Sequence, residues 1–269
     1  MAPCLVLIVV LALVVVAGCQ SSGARQTKSA VSPAVATSTT GSVPATTSGG
    51  PTTTMATTTS APVATTRPPP AITPAPVTTS ATGFTGTVSP VSASDVAASW
   101  RPGCPVGPGE LRLLHLSYWG FDNQPHIGTM VVDSAVTSDV LAIFGRLFAE
   151  HFPIHQMRPV DAYQGSDPAS MAADNTSAFN CRYAVAPGPP SWSAHAYGEA
   201  IDVNTVENPY LEGGTVMPPA GAAYLDRSVY RPGMAVPGGQ LVEAFASVGW
   251  QWGGRWTTPD YQHFSKTGA

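Results

Sequence analysis

The chain has 269 residues, with 12 Lys or Arg against 16 Asp or Glu, a formal net charge of −4. From Val96 onward nine basic residues face fifteen acidic ones, which excludes the basic footprint that binding to nucleic acid requires. Thr, Ser, Ala, Pro and Val dominate from Gln20 to Ser94, whereas aromatic residues, His and Asp gather after it.

In chain order, "LVLIVVLALVVVA" (residues 5–17) is an apolar run too short and too close to the N-terminus to read as a membrane span. It reads as an export signal. Its end, "VAGC", resembles the lipobox of bacterial lipoproteins, and that resemblance implies cleavage before Cys19 and lipidation of Cys19. Residues 1–19 are therefore expected to be a signal peptide. Residues 20–94 are expected to be a disordered linker, because a Thr/Ser/Pro/Ala tract buries too little apolar surface to offset chain entropy. The prolines favour extended chain, roughly 3.1 Å per residue. Such a tether would hold a domain of residues 95–269 outside the cytoplasmic membrane, in or near the cell wall. Cys104 and Cys181 are the domain's two cysteines and form no CxxC motif. In an oxidising exterior they are expected to pair.

Within the domain, 110–121 and 126–133 read as strands and 134–152 as a helix, with Val136, Val140, Phe144, Leu147 and Phe148 at helical spacing. A strand is expected over 152–160 and a second helix over 237–250. Short strands are expected around 179–185, 198–204 and 261–265. Helices and strands do not alternate, so the fold class is α+β, with helices packed on a small antiparallel sheet.

"SAHAYGEAIDVN" (193–204) carries the chemistry. As a strand, "AIDVN" sends Ile201 and Val203 one way and Asp202 the other. A carboxylate between aliphatics needs a strong partner. His195 can fold back to it across Gly198, which gives one imidazole and one carboxylate for a single ion. A catalytic zinc site normally takes three protein ligands, and His263 in "PDYQHF" is the third candidate. Asp260, three residues earlier, is placed to act as general base and acid.

"SAHAYGEAID", "GWQWGGRWTTPDYQHF" and "SMAADNTSAFNCR" together resemble the zinc peptidases of the D-alanyl-D-alanine carboxypeptidase and L-alanyl-D-glutamate endopeptidase family. The resemblance spans about 110–266. It implies an antiparallel sheet bearing zinc and cleavage of peptidoglycan stem peptides. It also implies His195, Asp202 and His263 as zinc ligands and Asp260 as the catalytic acidic residue. An arginine on an earlier strand is expected to stabilise the oxyanion, and Arg158 in "IHQMRPV" matches it. Ser193 is a candidate for substrate binding, and Arg182 and Asn180 are candidates to line the cleft. Whether the enzyme trims a terminal D-alanine or cuts inside the stem stays open. The alternative is a cell-wall peptide-binding lipoprotein that does not hydrolyse its ligand.

Overall fold

The computed structural model describes residues 83–185 and 188–268. The signal peptide, Cys19 and the linker as far as residue 82 lie outside the described residues.

The first sheet is antiparallel. Strand β1 (Gly86–Pro90) pairs with β2 (Leu111–Trp119), and β2 pairs with β3 (Pro125–Asp133) along its full length. β1 corrects the expected boundary: the ordered chain begins before residue 95. "GTVSP" shows one large apolar residue and no clear alternation, so its pairing was hidden in a tract of small polar residues. After β3, Asp133 caps a short 3-10 turn by accepting from the Ala135 amide, and helix α1 (Thr137–Ala149) follows. All five residues of the expected apolar stripe are buried.

Strand β4 (Gln156–Met157), helix α2 (Asp167–Ala172) and strand β5 (Asn175–Thr176) come next, with β4 and β5 parallel. The expected strand over 152–160 thus shrinks to two residues. Pro153 and Pro159 flank it, and proline has no N–H to donate to a ladder. The expected strand over 179–185 is replaced by a hairpin contact, Tyr183 pairing with Trp192. Strand β6 (Ala200–Asp202) is followed by the two-stranded ribbon of β7 (Tyr210–Glu212) and β8 (Thr215–Met217). Helix α3 (Gln240–Ala246), strand β9 (Gln251–Trp252) and strand β10 (His263–Ser265) complete the described elements. α3 is shorter than the expected 237–250, because "PGG" precedes it and Gly249 (φ 83°) closes the turn after it.

β6, β10 and β9 form the second sheet, antiparallel in that order. The main core joins both sheets. Leu114, Leu116, Met130 and Val132 meet Val140, Ile143, Phe144 and Leu147 of α1, together with Phe245, Ile201 and Phe264. The opposite face of the first sheet is covered by a smaller cluster of Val96, Val106, Leu111, Val131, Phe179 and Cys181. The segment at 177–181 ties the sheets together. Phe179 N donates to Val131 O (3.0 Å), and Ser177 and Asp202 exchange backbone hydrogen bonds at 3.0 and 2.9 Å.

Candidate active site

Local turns bring His195 to Asp202. Ser193 Oγ accepts from the His195 amide (3.3 Å), which caps a 3-10 turn over Ala194–Tyr197. Gly198 ends that turn in the left-handed region (φ 72°), and a Cβ there would lie 2.6 Å from the Asp133 backbone nitrogen. Only glycine fits, so the chain reverses directly into β6. His263 arrives from the other side, as the register partner of Asp202 in the β6–β10 ladder.

The three side chains converge. His195 Nε2 lies 3.2 Å from Asp202 Oδ2 and 3.1 Å from His263 Nδ1, and His263 Nδ1 lies 3.4 Å from Asp202 Oδ1. One ligand atom from each residue falls within 4.8 Å of the others. All three residues are at most 5% exposed. His195 Nδ1 is 2.7 Å from the Ala178 carbonyl, which can only accept. The ring proton therefore sits on Nδ1, and the Nε2 lone pair faces the cluster, an orientation typical of metal-binding histidine.

Burial would raise the Asp202 pKa, but the charges and hydrogen bonds of His195 and His263 outweigh it and hold the carboxyl well below the usual range. Asp202 Oδ1 is buried, with His263 Nδ1 at 3.4 Å as its ion-pair partner. Two imidazole nitrogens and a carboxylate around one point are a donor set that fits a divalent ion of zinc's preference.

A cavity of about 610 Å³ opens onto this centre. His195, His263, Asp260, Arg182, Asp167 and Ser193 line it, with apolar surface from Met171, Trp192, Tyr210, Met217 and Trp256. Asp260 is fixed by its backbone: its amide donates to Gly253 O (3.1 Å), and the residue bridges to Tyr210. Burial first, and then the negative charge of Asp202, push the Asp260 carboxyl up to about 7, against the pull of His263 and Arg182. Its Oδ1 is buried without a partner. A carboxyl that titrates near neutrality is suited to both accepting and returning a proton.

Arg182, expected to line the cleft, lines this cavity, and Arg158 does not. Arg182 Nε lies 3.1 Å from Asp167 Oδ2, and Asn180 Nδ2 donates to Asp167 Oδ1 (3.3 Å). The backbone stitches this segment to the ligand turn: Ser193 N donates to Arg182 O (3.1 Å) and Asn180 N to His195 O (3.1 Å). Cys104 and Cys181 are disulfide-bonded, which anchors the residue next to Arg182.

Arg158 is exposed and lines a different cavity, of about 440 Å³, with Tyr118, Gln156 and Met157. None of the three clustered residues lines that cavity. The expected oxyanion role for Arg158 is corrected on geometry, because Arg158 follows the two-residue β4 and lines the other cavity. Asn180 is buried and holds Asp167, without lining the cavity. Trp250 and Trp252 belong to the core, whereas Trp256 is 36% exposed with its ring 5.2 Å from that of His263.

Sequence reasoning missed Asp167, Met171, Trp192, Tyr210 and Met217. Met171 lies within "SMAADNTSAFNCR", but nothing in the local pattern marks the other four, since turns between distant segments bring them to the cavity.

A family model described as D-alanyl-D-alanine carboxypeptidase matches residues 187–266, a stretch that contains His195, Asp202, Asp260 and His263. No curated protein and no solved structure matches the chain.

Proposed function

We propose that this chain is an exported zinc peptidase that hydrolyses a peptide bond in peptidoglycan stem peptides. The observation that carries the reading is the convergence of His195, Asp202 and His263 within 4.8 Å on a cavity that also holds Asp260 and Arg182. The match to the carboxypeptidase family model over 187–266, which includes His195, Asp202, Asp260 and His263, supports it.

His195 Nε2, His263 Nδ1 and the Asp202 carboxylate would hold the ion. A zinc ion held by these residues would supply an acidified water and polarisation of the scissile carbonyl. Asp260 removes a proton from the attacking water and later gives it to the departing amine. Arg182, with Nε set by Asp167, donates to the oxygen that becomes negative in the tetrahedral intermediate. Ser193 holds the ligand turn, and its place on the cavity wall also puts it beside the substrate.

One observation favours a bond inside the stem over a terminal one. Among the described residues lining the cavity, Arg182 is the permanently cationic side chain, and the oxyanion role already uses it. A free substrate carboxylate would meet Asp260 and Asp167 with no counter-charge reserved for it. The "VAGC" end of the apolar leader supports membrane anchoring through Cys19, and the Cys104–Cys181 disulfide agrees with an oxidising exterior.

Digestion of purified muropeptides with the zinc-loaded chain, read by mass spectrometry, tests the reading. New fragments with a free amino terminus inside the stem are expected, and chelator should abolish them. Intact muropeptides after prolonged incubation would leave only the ligand-binding alternative.

A further inference from the structure

We propose that the stacked pair Tyr183 and Trp192 is a saccharide subsite at the rim of the cavity, built to hold the glycan from which the stem peptide hangs. The inference rests on the peptidoglycan reading above.

Tyr183 directly follows Arg182, and Trp192 directly precedes Ser193 and the turn that carries His195. Tyr183 bridges Trp192, Ala184 N donates to Ser191 O (2.8 Å), and Ser193 N donates to Arg182 O (3.1 Å). The two rings lie 4.3 Å apart and 17° from parallel. Arg101 is placed over Trp192, 5.9 Å from the ring centroid, and its Nη1 donates to Cys181 O (2.6 Å). With Cys181 in the disulfide, the ledge is held in place without ligand.

Its outer surface is not used by the fold. Tyr183 is 49% exposed and Val185 54%. Trp192, Val185 and Ser191 also line the catalytic cavity, and Tyr183, which does not line it, adjoins it through the stack on Trp192. An exposed aromatic face adjoining a binding cleft points to a ligand.

The chemistry selects a sugar. A pyranose has a face of C–H groups, and these are drawn to the negative face of an aromatic ring. Its hydroxyls need polar neighbours, and Ser191, Arg101 and the Tyr210 hydroxyl, 3.5 Å from Val185 O, lie on or beside the ledge. Stem peptides are built from alanine, an acidic residue and a diamino acid, so they bring no large apolar side chain to cover a tyrosine ring. The sugar is also within reach: at roughly 3.3–3.6 Å per extended residue, any bond of a five-residue stem lies within about 20 Å of it.

Two measurements test the ledge. The first titrates the full chain with peptide-free glycan strands and follows tryptophan fluorescence, which needs no hydrolysis. Saturable quenching is expected for the natural chain and for Tyr183→Phe, and weaker binding for Tyr183→Leu, by roughly three- to tenfold for one lost stacking contact. The second compares a muramyl-linked stem peptide with the free peptide. Tyr183→Leu should raise KM for the linked substrate by a similar factor and leave kcat and KM for the free peptide within about twofold of the natural values.

If glycan strands do not bind the natural chain, the proposal fails whatever the variants do. An equal rise in KM on both peptides would also overturn it, since the ledge would then hold peptide or serve the fold alone. If hydrolysis is absent but glycan still binds through Tyr183, the peptidase reading fails and the subsite stands.

Discussion

The two three-stranded sheets solve different problems. β2 and β3 pair over nine residues, and their inner face, with α1, buries a nearly continuous apolar surface. β6, β10 and β9 have strands of two or three residues, yet they hold His263 and Asp202, buried polar groups that cost free energy unless partnered. The first sheet is stable through area removed from water. The second is held by local devices: the Ser193 cap, the Gly198 reversal, the Ser177–Asp202 bridge and a disulfide in the adjoining segment. Stability and chemistry are thus placed on different elements that share a core through Ile201 and Phe264.

Breaking the chemical half should leave the scaffold standing. Asp260→Asn removes the proposed proton carrier and should lower kcat by about 10²- to 10⁴-fold, with zinc content unchanged and the melting temperature no lower; metal analysis beside the muropeptide assay checks this. The scaffold half should behave in the opposite way. Phe144→Ala, at a residue 1% exposed, should destabilise by about 3–5 kcal/mol in urea unfolding, while the folded fraction keeps its zinc.

The disulfide couples the halves. Cys104→Ser opens a link between positions 77 residues apart and should cost about 4 kcal/mol in the chain-entropy model. Because Cys181 adjoins Arg182, kcat should fall more than KM changes, which distinguishes it from Phe144→Ala.

The smallest effect concerns Glu207, on the loop after β6. Burial, and then the charge of Asp174 and a shared hydrogen bond, push its carboxyl up to about 8 from an ordinary 4.5. The folded chain therefore holds a proton that the unfolded chain has released. Stability from this group is complete below about pH 4.5 and is lost as pH rises towards 8. Glu207→Gln should flatten the fall in melting temperature between pH 5 and 8. A fall as steep as in the natural chain would show that another group sets the slope.

How much was legible follows the same division. The first sheet and α1 declare themselves because long periodic apolar runs leave little choice of register. The clustering of His195, Asp202 and His263 was legible for another reason: "SAHAYGEAID" and "PDYQH" carry these side chains at short fixed spacing, with a glycine where the chain must reverse. The arginine was legible only in part: Arg182 was a candidate to line the cleft and lines the cavity, but the oxyanion role was assigned to Arg158. Arg158 and Arg182 each follow short extended segments, and only the backbone bonds from Ser193 to Arg182 and from Asn180 to His195 decide which one reaches the cavity. β1 was hidden because pairing across 20 or more residues leaves no local signature in "GTVSP".

The sharing of one ion by His195, Asp202 and His263 is most directly tested by metal content. The purified chain should hold one zinc per molecule, Asp260→Asn should keep it, and His195→Ala and His263→Ala should each lose it while remaining folded. A folded natural chain that takes up no zinc, or histidine variants that bind it undiminished, would show that these three side chains do not form a metal centre.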